Sequence, residues 1–599
     1  MNIHTIPFST LRFWFFELRY FFLATAVVIG DFFLTHQWGF LLVLIAGAIT
    51  LSVEAWYKLR EGEWTMDYIA FLALAVAYAT GQYLTGALVS LMLIAGRTIE
   101  ALGTHQAQKN LKNLRDTLPK TLRVVRGDGI VVEDIHTVKP GATIEVRENE
   151  MIPLDGVLVS NLAILSTATL TGEADPVRVL RGEAVRSGTT SERGVIQVHV
   201  THGFESSTYQ SFLSLVGSAG SERPHFVHFS ERATIIFTLA ALALAALGYY
   251  VGGMERLLAV LVVATPCPLL IAAPLAYLAG QGRAAGMRMI VRSPRVFELL
   301  PLIRTVCLDK TGTLTDGKPT LTHFALIEGS TTEREVWRII GSLESASIHP
   351  LAQALVAYSR TFTTALPQAL GVRYTDTEIS GTIDRVKYTL NRAQGEADET
   401  HGRGWSYELL EGETVLAEFS FADRVKSGVG PEIVELKSTN KEVVVLTGDR
   451  QDVAEALLSA LGTTIRGGLE PGDKMRIVEE YQKNKNPVLM LGDGVNDVGA
   501  LKEATVGVMY SRKSDSAALE AADIVLFRSD IGALHEIFAL STQVNRVARQ
   551  SVYMGISLSI VAMGFAFAGY LPAVQGAIVQ ECIDVLAVGS ALRVLFTRG

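Results

Sequence analysis

Asp309-Lys310-Thr311-Gly312-Thr313-Leu314-Thr315 is the stretch that decides the fold of this 599-residue chain. Ahead of it runs Ile303-Arg304-Thr305-Val306-Cys307-Leu308, apolar and β-branched as a buried parallel strand requires. The acid therefore sits at the carboxyl end of a strand, with a flexible Thr/Gly turn behind it. Open α/β sheets bind ligands in the crevice at that end. Two later stretches repeat the unit. Val443-Val444-Val445-Leu446 ends in Thr447-Gly448-Asp449, and Val488-Leu489-Met490-Leu491 ends in Gly492-Asp493-Gly494-Val495-Asn496-Asp497. Three buried strands, each tipped by an acid, predict one doubly wound domain interrupted by an insertion after its first strand. Pro471-Gly472-Asp473-Lys474 supplies a lysine between the second and third strands.

A bare Asp-Lys after a strand is commonly a cap, but seven residues in this order are too specific for that. The string resembles the phosphorylation signature of the P-type ATPases, in which the Asp attacks the γ-phosphate of ATP and becomes an aspartyl phosphate. The resemblance runs from Met66 to Arg593 and makes the sheet a haloacid-dehalogenase-like one. It implies that Asp309 is the nucleophile. Asp493 and Asp497 would hold Mg²⁺ with the Thr311 carbonyl, hard oxygen donors suiting that ion. Lys474, Thr447 and Gly448 would cradle the phosphoryl oxygens, and Asn496 would help fix the loop. Phosphoryl transfer needs such positioning and charge neutralisation more than covalent ingenuity.

Further stretches carry the same resemblance. Leu170-Thr171-Gly172-Glu173-Ala174-Asp175-Pro176-Val177 resembles the actuator loop of these pumps, which makes Glu173 the residue that orients the hydrolytic water. Glu344-Ser345-Ala346-Ser347-Ile348-His349-Pro350-Leu351-Ala352 resembles the adenine-holding stretch of metal-pump nucleotide domains, through Glu344 and His349. Its glycine-rich partner departs from the family pattern: Glu378-Ile379-Ser380-Gly381-Thr382 has Gly381 where two glycines are usual.

Composition bounds the rest. Hydrophobic residues make up 49% and charged residues 19%, with a mean hydropathy of +0.29, which fits a mixed membrane and cytosolic protein. A formal net charge of −8 argues against nucleic acid as a partner. Three cysteines, Cys267, Cys307 and Cys582, are too few for a disulfide framework. No Cys-x-x-Cys or His-rich tract precedes the first apolar run, so no appended metal-binding domain is expected; a metal chaperone is left open by the sequence.

Eight apolar runs near the ~20 residues needed to span a bilayer are expected. They are Leu11 to Leu34, Trp38 to Tyr57, Met66 to Gln82, Tyr83 to Ala101, Ala233 to Val251, Leu257 to Gly280, Ser551 to Leu571 and Ala577 to Phe596. The third and fourth form a hairpin turned at Gly81. Lys109, Lys112, Arg115, Lys120, Arg123 and Arg126 mark the cytoplasmic side. The expected fold is thus a multidomain protein of the cell membrane, a bundle of about eight transmembrane helices carrying cytoplasmic catalytic domains. Transmembrane helices 1–4 occupy 1–102, a β-rich actuator domain 103–225, and helices 5–6 226–285. A haloacid-dehalogenase-like α/β phosphorylation domain takes 286–320 and 421–547, with an inserted α+β nucleotide-binding domain at 321–420. Helices 7–8 take 548–599.

The sixth run contains Thr265-Pro266-Cys267-Pro268 and then Pro274. Two prolines flanking one residue break the helix in mid-membrane, and unwound backbone there is tolerated only inside protein or beside a cavity. The arrangement resembles the Cys-Pro helix of heavy-metal pumps. The last run reads Gln580-Glu581-Cys582-Ile583-Asp584-Val585, with Glu581 and Asp584 on one helix face. Two acids in an apolar span are costly unless they face a cavity and a partner. The candidate ion ligands are therefore Cys267, Glu581, Asp584 and Thr265, with Cys582 about 100° around the helix from Glu581. One thiolate with carboxylates suits a borderline divalent ion better than Cu⁺. The pairing resembles the iron/nickel and cobalt/zinc branches of heavy-metal pumps, which implies export of Fe²⁺, Ni²⁺, Co²⁺ or Zn²⁺. A copper(I) exporter and a pump-like metal sensor are the alternatives. A membrane-anchored phosphatase leaves the actuator loop, the adenine stretch and eight spans unexplained.

Overall fold

The computed structural model describes residues 23–596 apart from 32–37, 61–67, 117–118, 128, 167–176, 209, 211–223, 266, 316–319, 328–330, 346, 348–349, 364, 376–377, 393–404, 484–485, 493–494, 511–515 and 529. Contacts divide the chain into two units, one of residues 1–120, 212–301 and 536–599, the other of 121–211 and 302–535.

The first unit is helical. Residues 23–31 form a helix. It is followed by α1 (Trp38–Arg60), α2 (Tyr68–Ala79), α3 (Tyr83–Asp116), α4 (His225–Val263), α5 (Cys267–Gly286), α6 (Ala533–Ala568, its first turn lying in the other unit) and α7 (Ala573–Leu592). The α2–α3 hairpin turns where expected, with Gly81 at φ +70°. Helix α4 is interrupted at Gly252 and at Gly253, the latter at φ 71° and ψ −161°. Only glycine takes that conformation without strain, so the fifth and sixth apolar runs meet here. Helix α4 then stops at Val263, Thr265 is not helical, and a new helix starts at Cys267. The expected mid-span break is thus present. Pro274 lies inside α5, whose helix continues to Gly286.

Among the described residues, Tyr83–His105, His225–Val263 and Ala533–Ala568 are long and apolar enough to cross a membrane. Trp38–Val53 and Ile69–Ala79 are shorter apolar helices. Helix α4 turns Ile235, Ile236, Leu239 and Tyr250 outward. An apolar exterior of that kind suits contact with lipid rather than water. The interior is closed by small and branched residues, among them Ala70, Ala73, Ala77, Val260, Val262, Ala264, Ala566 and Ala577. Close packing of small side chains is what holds helices together where no hydrophobic drive acts between them. Helix α7 packs against α3, α4 and α5.

In the second unit, residues 121–200 form a β-rich domain around Ile144, Ile152, Leu154 and Val198. Its strands Thr121–Arg126 and Gly129–Asp134 pair as an antiparallel hairpin. Asp155 staples its loops, accepting from the backbone N–H of Ser187 at 2.6 Å and of Thr208 at 2.6 Å. The Thr171-Gly172-Glu173 loop lies outside the described residues.

The acid-tipped strands lie side by side as predicted. Strands β1 (Thr305–Asp309), β2 (Glu442–Leu446), β3 (Thr464–Arg466), β4 (Val488–Gly492), β5 (Val506–Tyr510) and β6 (Ile524–Leu526) run parallel in the order β6-β5-β4-β1-β2-β3. The central β1 is flanked by the other two acid-tipped strands, with Asp309 opposite Leu446 and Leu308 opposite Leu491. Every residue of β1, β4 and β5 is buried, which is why these runs are continuously apolar instead of alternating.

The insertion is a six-stranded antiparallel sheet opened by Thr320–Leu326 and closed by Thr414–Ala422, with helices Glu333–Glu344 and Pro350–Ser359. Thr332 caps the first helix, its side chain accepting from Glu335 N–H at 3.4 Å. Trp337 is fully buried, with ring centroids 5.4 Å from Phe324, 4.6 Å from Tyr358 and 5.5 Å from Phe419. That aromatic cluster holds the helices on the sheet.

Candidate functional site

Asp309 ends the central strand and is 5% exposed. Lys474 reaches it from helix Pro471–Lys483: its Nζ donates to Asp309 Oδ1 at 2.5 Å and to Asp497 Oδ1 at 2.8 Å. Burial works against the Lys474 charge, but the two carboxylates outweigh it and hold the ammonium above its usual range. Removing Lys474, which would leave two buried carboxylates without their cation, typically costs about 3–5 kcal/mol. Gly492 makes the arrangement possible, since a Cβ there would stand 2.5 Å from Asp497 Oδ2.

The turn after Asp309 is held from below. Lys426 Nζ donates to the Gly312 carbonyl at 2.7 Å and the Thr313 carbonyl at 2.8 Å, and lies 4.8 Å from the centre of the Tyr510 ring. Lys310 turns inward to Asp423 at 3.2 Å and also contacts Asp449. Thr447 is buried, and its Oγ1 accepts from Asp449 N–H at 3.2 Å. Gly448 and Asn496 are exposed beside it in sequence and at the β4 end, and Thr311 is exposed on the turn. Thr313 Oγ1 is buried without a hydrogen-bond partner among the described residues. Asp493 lies outside the described residues.

Lys474 shows that the carboxylates of Asp309 and Asp497 converge on one cation. The donors are hard oxygens, so the residue types fit Mg²⁺. Lys310, Asp423 and Lys426 were not singled out by sequence as site residues. Asp423 and Lys426 lie where the insertion rejoins the sheet, and an isolated acid and lysine there carry no local signal.

In the inserted domain Glu344 closes its helix, 4% exposed, with Oε2 unpartnered among the described residues. Burial pushes its carboxyl up to about 7. The preceding carbonyl, Leu343, accepts from the Tyr374 hydroxyl at 3.2 Å. Gly381 lies mid-strand in Glu378–Ile383, and a Cβ on it would approach Leu343 Cδ2 to 2.9 Å. The single glycine thus lets the strand close on the residue beside Glu344. His349 lies outside the described residues.

In the helical unit the break and the last helix meet. Gln580, fully buried, donates from Nε2 to the Thr265 carbonyl at 3.4 Å and to Asp584 Oδ1 at 2.9 Å. Its Oε1 accepts from Ser559 of α6 at 3.5 Å. Asp584 is 5% exposed. Thr265 Oγ1 and Glu581 Oε2 are both buried and have no hydrogen-bond partner among the described residues. Cys267 begins α5, and its side chain lies outside the described residues. Cys582 is exposed. Among the described residues no three His, Cys, Asp or Glu side chains gather as a metal cluster. Gln580 and Ser559 were not picked out by sequence, because a lone amide or hydroxyl in an apolar helix gives no spacing signal.

The chain is similar to several known proteins. Residues 116–217 match the P-type ATPase actuator domain, and residues 303–505 match the haloacid dehalogenase-like hydrolase family. The chain is 27% identical over 598 residues to a cadmium-transporting ATPase of Staphylococcus aureus, covering 95% of this chain and 81% of that one. It is 28% identical to a probable copper-transporting ATPase of Synechocystis, covering 86% and 76%. A crystal structure of a zinc-transporting PIB-type ATPase superposes with a TM-score of 0.64 at 26% identity, covering 97% of this chain and 99% of that one.

Proposed function

The chain is a P-type ATPase of the heavy-metal type, a membrane enzyme with cytoplasmic catalytic domains, and from that premise we propose that it exports a divalent transition-metal ion through an aspartyl phosphate on Asp309. The observation that carries the ion assignment is a pair of buried oxygens without a hydrogen-bond partner among the described residues, Thr265 Oγ1 and Glu581 Oε2, at the helix break and on the last helix. Buried polar atoms usually find a partner, so two open oxygens at the break and on the last helix are suited to an ion. With the Cys267 thiolate at the same break, the donors are one sulfur and several oxygens. That set favours Fe²⁺, Ni²⁺ or Co²⁺, with Zn²⁺ close behind and Cu⁺ last. Similarity to proteins named for cadmium and zinc adds weight to the zinc end of this range. Cu⁺ would call for more sulfurs than Cys267 alone provides. The proposal is tested with inside-out vesicles of the full chain. ATP-dependent uptake of Zn²⁺ or Co²⁺ supports it, and uptake of Cu⁺ alone refutes it.

In the first half-reaction an Asp309 carboxylate oxygen bonds to the γ-phosphorus and ADP leaves with the bridging oxygen. Lys474, already seated between Asp309 and Asp497, neutralises charge gathering on the phosphoryl oxygens. Thr447 and Gly448 line the end of the neighbouring strand where those oxygens come to lie, and Asn496 steadies the adjoining loop. Lys426 keeps the Gly312–Thr313 turn from shifting as Asp309 changes charge. Mg²⁺, held by Asp309, Asp497, Asp493 and the Thr311 carbonyl, would supply further charge neutralisation when bound. Adenine would sit against Glu344, Gly381 and His349. In the second half-reaction a water oriented by Glu173 attacks phosphorus, releasing inorganic phosphate and restoring the Asp309 carboxylate. Alternation between the two states of one carboxylate drives domain motions that open the membrane site to one side and then the other.

Two expected results follow from this scheme. Glu173→Ala protein still phosphorylates from ATP, because Glu173 acts only after Asp309 is modified, and its phosphoenzyme decays at least about tenfold more slowly. A chase with unlabelled ATP measures this, and wild-type decay would remove Glu173 from the role. The other result concerns Glu344. Its carboxyl is raised to about 7 by burial, from an ordinary 4.5. The folded state therefore keeps a proton the unfolded chain has lost, and this contribution to stability is complete at pH 4 and gone above pH 7. Melting of the nucleotide-free protein should thus fall between pH 5 and 8 relative to Glu344→Gln, by an amount on the order of 3 kcal/mol. Parallel pH profiles of the two proteins would contradict it.

A further inference from the structure

We propose that Gln580 and Asp584 form a positioning bridge across the bundle, and that Glu581 is the carboxylate of the last helix that the ion takes as ligand; this rests on the metal-site reading above. The two acids differ in what they already hold. Asp584 is buried, and its Oδ1 is engaged by the Gln580 amide at 2.9 Å. Glu581 is half-buried, and its Oε2 is hidden from solvent with no hydrogen-bond partner among the described residues. A buried carboxylate that is hydrogen-bonded carries little cost, whereas one left without a partner is costly and stays only if something else satisfies it.

Gln580 and Asp584 are one turn apart and share a helix face. The same Nε2 that binds Asp584 reaches the Thr265 carbonyl at 3.4 Å, and Oε1 takes the Ser559 hydroxyl at 3.5 Å. One neutral side chain therefore ties the break before Cys267 to α6 and α7. Thr265 shows the consequence: its carbonyl is held while its Oγ1 has no hydrogen-bond partner among the described residues. The bridge fixes the backbone of the broken segment and leaves Thr265 Oγ1 and Glu581 Oε2 free for the ion.

The full-length protein is loaded with Co²⁺, whose absorption spectrum reports its ligands, and Co²⁺ affinity and phosphorylation from inorganic phosphate are measured alongside. Asp584→Asn keeps an acceptor for the Gln580 amide and removes the charge. It should give the wild-type Co²⁺ spectrum with affinity reduced less than about tenfold. Gln580→Leu removes the donor and should weaken Co²⁺ by more than about tenfold while phosphorylation from inorganic phosphate persists. Glu581→Gln should alter the spectrum. If Asp584→Asn alters the spectrum as Glu581→Gln does, or if Gln580→Leu binds Co²⁺ like wild type, the bridge is refuted. If Gln580→Leu does not fold, the Asp584→Asn spectrum decides alone. An unchanged spectrum in Glu581→Gln would instead refute the metal-site reading on which the bridge depends.

Discussion

Asp309→Asn protein given ATP is expected to form no hydroxylamine-sensitive phosphoenzyme, a loss of at least about 10⁴-fold in turnover, as removal of a nucleophile usually brings. The substitution keeps the side chain's shape and an oxygen for Lys474 to donate to, in place of the 2.5 Å contact with Oδ1. It removes the negative charge and leaves an amide oxygen too weakly nucleophilic to attack phosphorus. Nucleotide binding should persist, because Glu344 and Gly381 belong to the inserted domain and owe nothing to the strand end. Stability should fall only modestly, because Lys474 retains Asp497 at 2.8 Å. A hydroxylamine-sensitive phosphoenzyme in this variant would place the nucleophile elsewhere.

Cys267→Ser and Glu581→Ala are each expected to abolish metal-stimulated ATP turnover while phosphorylation from inorganic phosphate survives. The first exchanges a thiolate for a hydroxyl that does not ionise near neutral pH, and a borderline ion loses its one soft ligand. The second deletes the buried oxygen that has no hydrogen-bond partner among the described residues. Loss of an essential ligand should raise the metal concentration for half-stimulation by about 100-fold or more. Survival of the back-reaction separates a lost ion site from a damaged fold, since Asp309, Lys474 and Asp497 belong to the other unit. Full activation by divalent ions in Glu581→Ala would remove it from the ligand set.

The parallel sheet was legible because its strands are buried on both faces. Val443–Leu446 and Val488–Leu491 read as short, continuously apolar runs, each followed by a turn that carries an acid. They flank Thr305–Asp309 in the sheet. The helix break was legible from Pro266 and Pro268, because a missing donor acts locally whatever surrounds it. Lys474 could be named only through the resemblance, since its approach to Asp309 is made across 165 residues of chain. Lys426 and Asp423 had no such guide. Gln580 was passed over for another reason. Its value lies in reaching Thr265 and Ser559 on two other segments, and a polar residue in an apolar helix does not reveal its partners. The acids beside it stood out only because charge in a membrane span is costly wherever it points.

The most direct test of metal export through Asp309 is ATPase activity of the purified full chain with Cu⁺, Zn²⁺, Co²⁺, Ni²⁺, Fe²⁺ and Mn²⁺ supplied one at a time. Stimulation by Fe²⁺, Ni²⁺, Co²⁺ or Zn²⁺, absent in Asp309→Asn and in Glu581→Ala, is the expected result. Stimulation by Cu⁺ alone, or turnover indifferent to every ion, would contradict it.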